Sequence, residues 1–153
     1  MISKEDMITA FARNVDIVKR QVLNLSHEQT LVQPPVPGNC MNWILGHIVG
    51  TRHGILKLLG EKPLISEEMA KRYGYGSPPV CEDGPDVVKL DVLLNYLEKS
   101  QPLIEAALRR MTDADLAQPT QSHLGTTTVA QLIFFNYYHE TYHAGQLELL
   151  REM

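Results

Sequence analysis

The stretch VAQLIFFNYYHETYHAGQLELL, Val129 to Leu150, decides how this chain is read. It is long enough for six turns of helix and contains no Pro. Thr128-Val129-Ala130-Gln131 in front of it has the form of a capping box, in which the Thr and Gln side chains each satisfy an orphan backbone N–H. Following three-four spacing gives one stripe: Val129, Leu132, Asn136, His139, His143, Gln146 and Leu150. Four consecutive members are polar, yet the stripe begins and ends apolar, and Ile133 and Leu147 widen it. Burying polar groups without partners costs about 2 kcal/mol or more each, so four on an inner stripe need a reason. A metal ion supplies one. His139 and His143 lie four apart, so both rings project from one helical face toward one point.

Two other readings of the same residues stay open. A His-x-x-x-His pair can be no more than two helix residues. The polar stripe can also be a solvated face, with the helix turned so that Phe134, Phe135 and Tyr138 point inward. His139-Glu140-Thr141-Tyr142-His143 also matches the His-Glu-x-x-His pattern of zinc proteases, with Glu140 as general base. The extended form of that pattern wants Gly at 146 and His at 149, where this chain has Gln146 and Leu149. A third ligand must therefore come from upstream.

Upstream, three more segments carry helical periodicity. In the first, Ile8, Phe11, Val15, Val18, Val22 and Leu25 share a face, and Ser3 with Asp6 caps its start. Pro34, Pro35, Pro37 and Gly38 break it off. A second helix runs from about Asn39–Asn42 to Leu59, with Gly60 as its stop. Its inner face holds Ile44, His47, Ile48, Thr51, Ile55 and Leu58, and His47 is the candidate third ligand. On its own, His47 also reads as a core histidine bonded to a carbonyl. A third helix spans about Asp86 to Met111, with Leu93, Leu97, Ile104, Leu108 and Met111 inward and a kink expected at Pro102. Between Glu61 and Pro85 the periodicity fails, and a connection of that length serves as a lid or crossover.

The expectation is one all-α domain over residues 1–153, a four-helix bundle with a long crossover between helices two and three. His47 lies early in its helix, whereas His139 and His143 lie near or past the middle of theirs. Antiparallel packing of helices two and four levels them, which favours an up-down-down-up order. His27, His53 and His123 share no face with a second candidate ligand and read as ordinary histidines. Cys40 and Cys81 are far apart and outside any Cys-x-x-Cys pattern, so both read as buried free thiols.

Bulk composition narrows the partners. The 153 residues are 44% hydrophobic and 21% charged, with net charge −4 and no Lys/Arg run. On that basis nucleic acid is not expected as a partner. The N-terminus lacks a signal-peptide core and the most apolar stretch is too short to span a bilayer, so a cytoplasmic protein with no membrane partner is expected.

The chain resembles the DinB/YfiT-like family of metal-binding four-helix bundles. The likeness lies in Trp43-Ile44-Leu45-Gly46-His47-Ile48, in Gly125-Thr126-Thr127-Thr128-Val129, and in His139 through Leu147 with its His-Ala-Gly-Gln run; Pro37-Gly38 resembles the family's lead-in. The resemblance covers nearly the whole chain in element order and length. It implies an up-down-down-up bundle, often a homodimer, with His47, His139 and His143 holding zinc, nickel or a similar divalent ion. It further implies thiol-dependent S-transfer or isomerisation, or hydrolysis, with a small-molecule substrate such as a low-molecular-weight thiol. A non-catalytic metal- or ligand-binding module is the contrasting expectation. Glu140 and Gln146 are the candidate catalytic side chains, Gln146 as an orienting group one turn beyond His143.

Overall fold

The computed structural model describes residues 3–122 and 125–153, so His123 lies outside the described residues. Its four long helices are α1 (Lys4–Gln21), α2 (Met41–Leu58), α4 (Leu90–Arg110) and α6 (Val129–Arg151). Two short helices, α3 (Glu67–Arg72) and α5 (Asp113–Leu116), sit in the connections, with a 3₁₀ turn at Glu28–Leu31. The protein is thus predominantly helical, as the periodicities require.

Local chemistry sets the boundaries. Ser3 and Asp6 close a full capping box on α1, and Thr128 and Gln131 close another on α6. Gly60, two residues past α2, takes φ +75°, a left-handed conformation that a side chain disfavours. The helix α4 continues through Pro102 to Arg110. Just ahead of α6, β1 (Pro119–Ser122) pairs antiparallel with β2 (Gly125–Thr128), a hairpin that the polar composition there did not announce.

Packing follows the apolar stripes. Ile8, Phe11, Val15 and Val18 of α1 are buried, as are Leu93, Leu97, Ile104 and Leu108 of α4. In α2 every residue from Met41 to Val49 is buried, because α3 and the segment after it cover the side that the other long helices leave open. Each of α1 and α2 packs against both α4 and α6.

Between α2 and α6, His47 meets His139 and His143, while Arg52 meets Glu140. Contacts of α1 with α6 climb together, from Phe11–Tyr137 through Asn14–Thr141 to Gln21–Arg151.

The core is not continuous. Arg52, Ser100 and Glu140 form a buried polar layer between two apolar clusters. One cluster is built around Ile48, Tyr73, Leu93, Leu97 and Leu147, the other around Phe11, Ile55, Ile104, Leu108 and Ile133. Among the described residues, no helix is long and apolar enough to cross a membrane.

Candidate metal centre

On α6 the fully buried stripe is Val129, Ile133, Glu140, Ala144 and Leu147. The polar stripe of Asn136, His139, His143 and Gln146 lies one step around the helix and is only half-buried. Phe134 and Tyr138 are exposed, which removes the alternative rotation with those rings inside. The histidines thus sit at the edge of the core, against α2 on one side and open space on the other.

His47, His139 and His143 converge, and their ligand atoms all lie within 4.8 Å of one another. The Nε2 atom of His139 stands 3.3 Å from that of His47 and 3.2 Å from that of His143. Four-coordinate zinc with nitrogen ligands at about 2.0–2.1 Å requires a ligand–ligand separation of about 3.3–3.4 Å, so the spacing fits such an ion.

Protonation supports the same fit. His47 Nδ1 lies 2.7 Å from the Tyr73 carbonyl oxygen, which can only accept, so the ring donates from Nδ1 and keeps a lone pair on Nε2. His143 Nδ1 in the same way donates to the Gln146 side-chain oxygen at 2.7 Å. Two bare Nε2 atoms then face that of His139, which can carry one proton and satisfy one of them. A cation satisfies all three. Partners behind the coordinating rings are a recurring feature of metal sites, where they fix tautomer and orientation.

Burial favours the neutral form of His47 and His143. It pushes the pKa of His47 down, against the opposing pull of the Tyr73 carbonyl. It pushes His143 down to about 4, with the Gln146 bond opposing and the neighbouring His47 and His139 adding to the fall. The folded chain therefore holds fewer protons on His143 than the unfolded chain, whose pKa is near 6.5. Stability of the metal-free protein should thus fall as pH drops from about 7 toward about 4, then become insensitive to this group. Chemical denaturation across that range checks it, and the slope should shrink in His143→Ala.

The mount of His47 comes from the segment that the sequence left irregular. Tyr73, immediately after α3, is fully buried and lies flat against Gly46. A Cβ at Gly46 would stand 2.1 Å from Tyr73 Cδ1, so only Gly admits the ring. The Tyr73 hydroxyl donates to Asn42 Oδ1 and accepts from the Val88 N–H. The expected crossover is therefore packed structure where it meets His47. On the other side Trp43 stacks on the imidazole, centroids 4.9 Å apart and planes 9° apart.

Glu140 is placed away from open space. It is fully buried and paired bidentately with Arg52, at 2.7 Å to Nε and 2.8 Å to Nη2. Arg52 spends its remaining donors on Ser100 and Gln101 of α4 and on the Phe11 carbonyl of α1. The network ties all four long helices together. Gln146, by contrast, touches His143 directly.

The other described histidines stand apart from this centre: His27 pairs with Asp83 and His53 with Glu67. Both cysteines are free thiols, Cys40 buried at the start of α2 with its Sγ on the Val80 carbonyl, but Cys81, expected to be buried, lies exposed in the connection after α3. Burial pushes the Cys40 thiol up.

A helical bundle with a convergent three-histidine group at the edge of its core defines the class. The DinB superfamily model matches residues 11–147, and the chain belongs to that superfamily. No curated protein matches it.

Among solved structures, a conserved protein from Enterococcus faecalis is similar over 99% of this chain and 96% of its own, at 16% identity and a TM-score of 0.75. The mycothiol-dependent maleylpyruvate isomerase matches 94% of this chain at 16% identity and a TM-score of 0.69, and this chain spans 60% of it. The colibactin self-resistance protein ClbS, solved in complex with double-stranded DNA, matches over 100% of this chain and 98% of its own, at 17% identity and a TM-score of 0.64.

The last match corrects the expectation that nucleic acid is excluded as a partner. A protein of this fold is found on duplex DNA, and a DNA-contacting surface is assembled in three dimensions. The absence of a Lys/Arg run along the sequence was therefore no ground for the exclusion.

Proposed function

We propose that the chain holds one divalent transition ion, zinc or nickel, on Nε2 of His47, His139 and His143. We further propose that it uses this ion to activate a low-molecular-weight thiol for transfer to an electrophile. The observation that carries this reading is the convergence of three Nε2 atoms, two of them fixed as lone-pair donors from behind. Bound there, the ion supplies positive charge that lowers the pKa of a coordinated thiol. Three neutral imidazoles leave that charge undiminished. The thiol S–H bond would break with its proton passing to water, the sulfur would bond to the electrophilic carbon, and the bond displaced there would break with its electron pair leaving on the departing group, which water protonates.

Two features favour chemistry over a purely structural ion. Closed structural sites use four protein ligands, whereas three donors converge here among the described residues. The group also opens onto a cavity of about 530 Å³. The contrasting reading, hydrolysis with Glu140 as base, is disfavoured because both carboxylate oxygens are committed to Arg52.

A panel of thiols and electrophiles on metal-loaded protein tests the proposal. His47→Ala should abolish transfer, while Glu140→Gln should keep most activity per folded molecule. Loss of activity in Glu140→Gln with metal bound and fold intact would support hydrolysis by an activated water instead. Chelation should lower the melting temperature and leave the helical circular dichroism in place, since the two apolar clusters do not depend on the ion. At ion concentrations a hundredfold above Kd the bound metal should add about 2.7 kcal/mol. Collapse of the helical signal on chelation would mark the metal as structural.

A further inference from the structure

The cavity beside the three histidines has a composition that the thiol chemistry does not account for. Pro37, Trp43, Ile44, Leu149 and Leu150 form walls around it, and none of its described lining residues is Asp, Glu, Lys or Arg. Its hydrogen-bonding side chains are neutral, chiefly Asn39 and Gln146, and Gln146 is already engaged with His143 and the Tyr142 hydroxyl. Five of the ten exposed large apolar side chains among the described residues, Val36, Tyr75, Tyr142, Leu149 and Met153, line this one cavity. Leu149 is 72% exposed and Tyr75 99% exposed. Apolar side chains scattered singly need no explanation, but their concentration around one opening marks a place that apolar matter covers.

We propose that the occupant is an uncharged small molecule with an apolar body, seated along Trp43, Ile44 and Leu150 with its reactive end at the histidines. That such a molecule is a co-substrate rests on the metal-dependent reading above; the selectivity of the cavity does not. Along the walls away from the histidines a carboxylate would lose hydration and meet no Lys or Arg, which is costly. An uncharged ring or alkyl body loses only unfavourable contact with water.

The chain's single tryptophan, Trp43, lines the cavity and reports on binding by its fluorescence. The test titrates metal-free, full-length protein with 4-tert-butylbenzyl alcohol and, separately, with 4-tert-butylbenzoate, which share a skeleton and differ in charge. The alcohol should bind at least about tenfold more tightly than the carboxylate. Leu149→Lys, an exposed substitution that the fold tolerates, should narrow or reverse that preference by placing a cation at the wall.

Equal or tighter binding of the carboxylate to the parent chain overturns the inference, as does failure of both probes to bind. It is also overturned by a concentration-dependent dimer that Leu149→Lys dissociates and that excludes both probes, because the apolar face is then covered by a second copy. A clear preference for the alcohol in a protein that takes up no metal would leave this inference standing while the metal reading fails.

Discussion

Arg52→Met in an otherwise unaltered chain should cost about 3–5 kcal/mol, because it strands the Glu140 carboxylate in a fully buried position. Glu140→Leu should cost a similar amount by stranding the guanidinium. The double variant should lie closer to the parent than either single one, since two apolar side chains of similar volume can join the clusters above and below the layer. Urea denaturation of the four proteins closes the double-mutant cycle. A single variant within 1 kcal/mol of the parent would mean that the layer relaxes or hydrates, contrary to the burial described. The cycle also bears on the site, because Glu140 is the neighbour of His139 and the pair fixes the rotation of α6. If that rotation aims the histidines, the double variant should recover stability more completely than it recovers metal affinity.

The second large effect is expected at Gly46. Gly46→Val places atoms inside the Tyr73 ring, where even a Cβ stands 2.1, 2.4 and 2.5 Å from three ring carbons. Overpacking of this kind costs about 1–3 kcal/mol. The displaced Tyr73 takes with it the carbonyl that holds His47 Nδ1. Losing such a support weakens metal binding by about 10–100-fold. Gly54→Ala is the control, for nothing lies within 4 Å of a Cβ at that position of the same helix. It should be neutral or stabilise by up to about 1 kcal/mol, as expected for Ala in place of Gly in an exposed helix. Equal behaviour of the two variants would detach Tyr73 from the site.

These two expectations rest on contacts that the sequence reading did not reach, and the reasons differ. The helices themselves were legible because apolar spacing, capping pairs and Pro or Gly stops are local signals. The histidine group was legible for the same reason: two members share one helix face, and the third sits on a mostly apolar one. The rotation of α6 was misread by one stripe, because exposed Phe134 and Tyr138 blur the contrast between its faces. The half-buried placement of the histidines followed only from the packing.

Arg52 carried a signal that charge concealed, since its neighbours three, four and seven positions away include Leu45, Ile48, Ile55 and Leu56, all buried. Glu140 likewise sits in line with Ile133, Ala144 and Leu147. Two opposite charges on two apolar stripes foreshadow a buried pair. Nothing local foretold that Tyr73 would close on Gly46, 27 positions earlier, because that contact depends on how the segment after α3 folds back.

The central claim is that His47, His139 and His143 hold one ion together, and metal stoichiometry tests it most directly. Elemental analysis of purified, undialysed protein, repeated after reconstitution with zinc and with nickel, should find close to one transition ion per chain. His139→Ala should lose most of it, and His53→Ala, whose ring faces Glu67 instead, should keep it. Parent-like metal content in both variants, or a parent chain that takes up neither ion on reconstitution, would contradict the account.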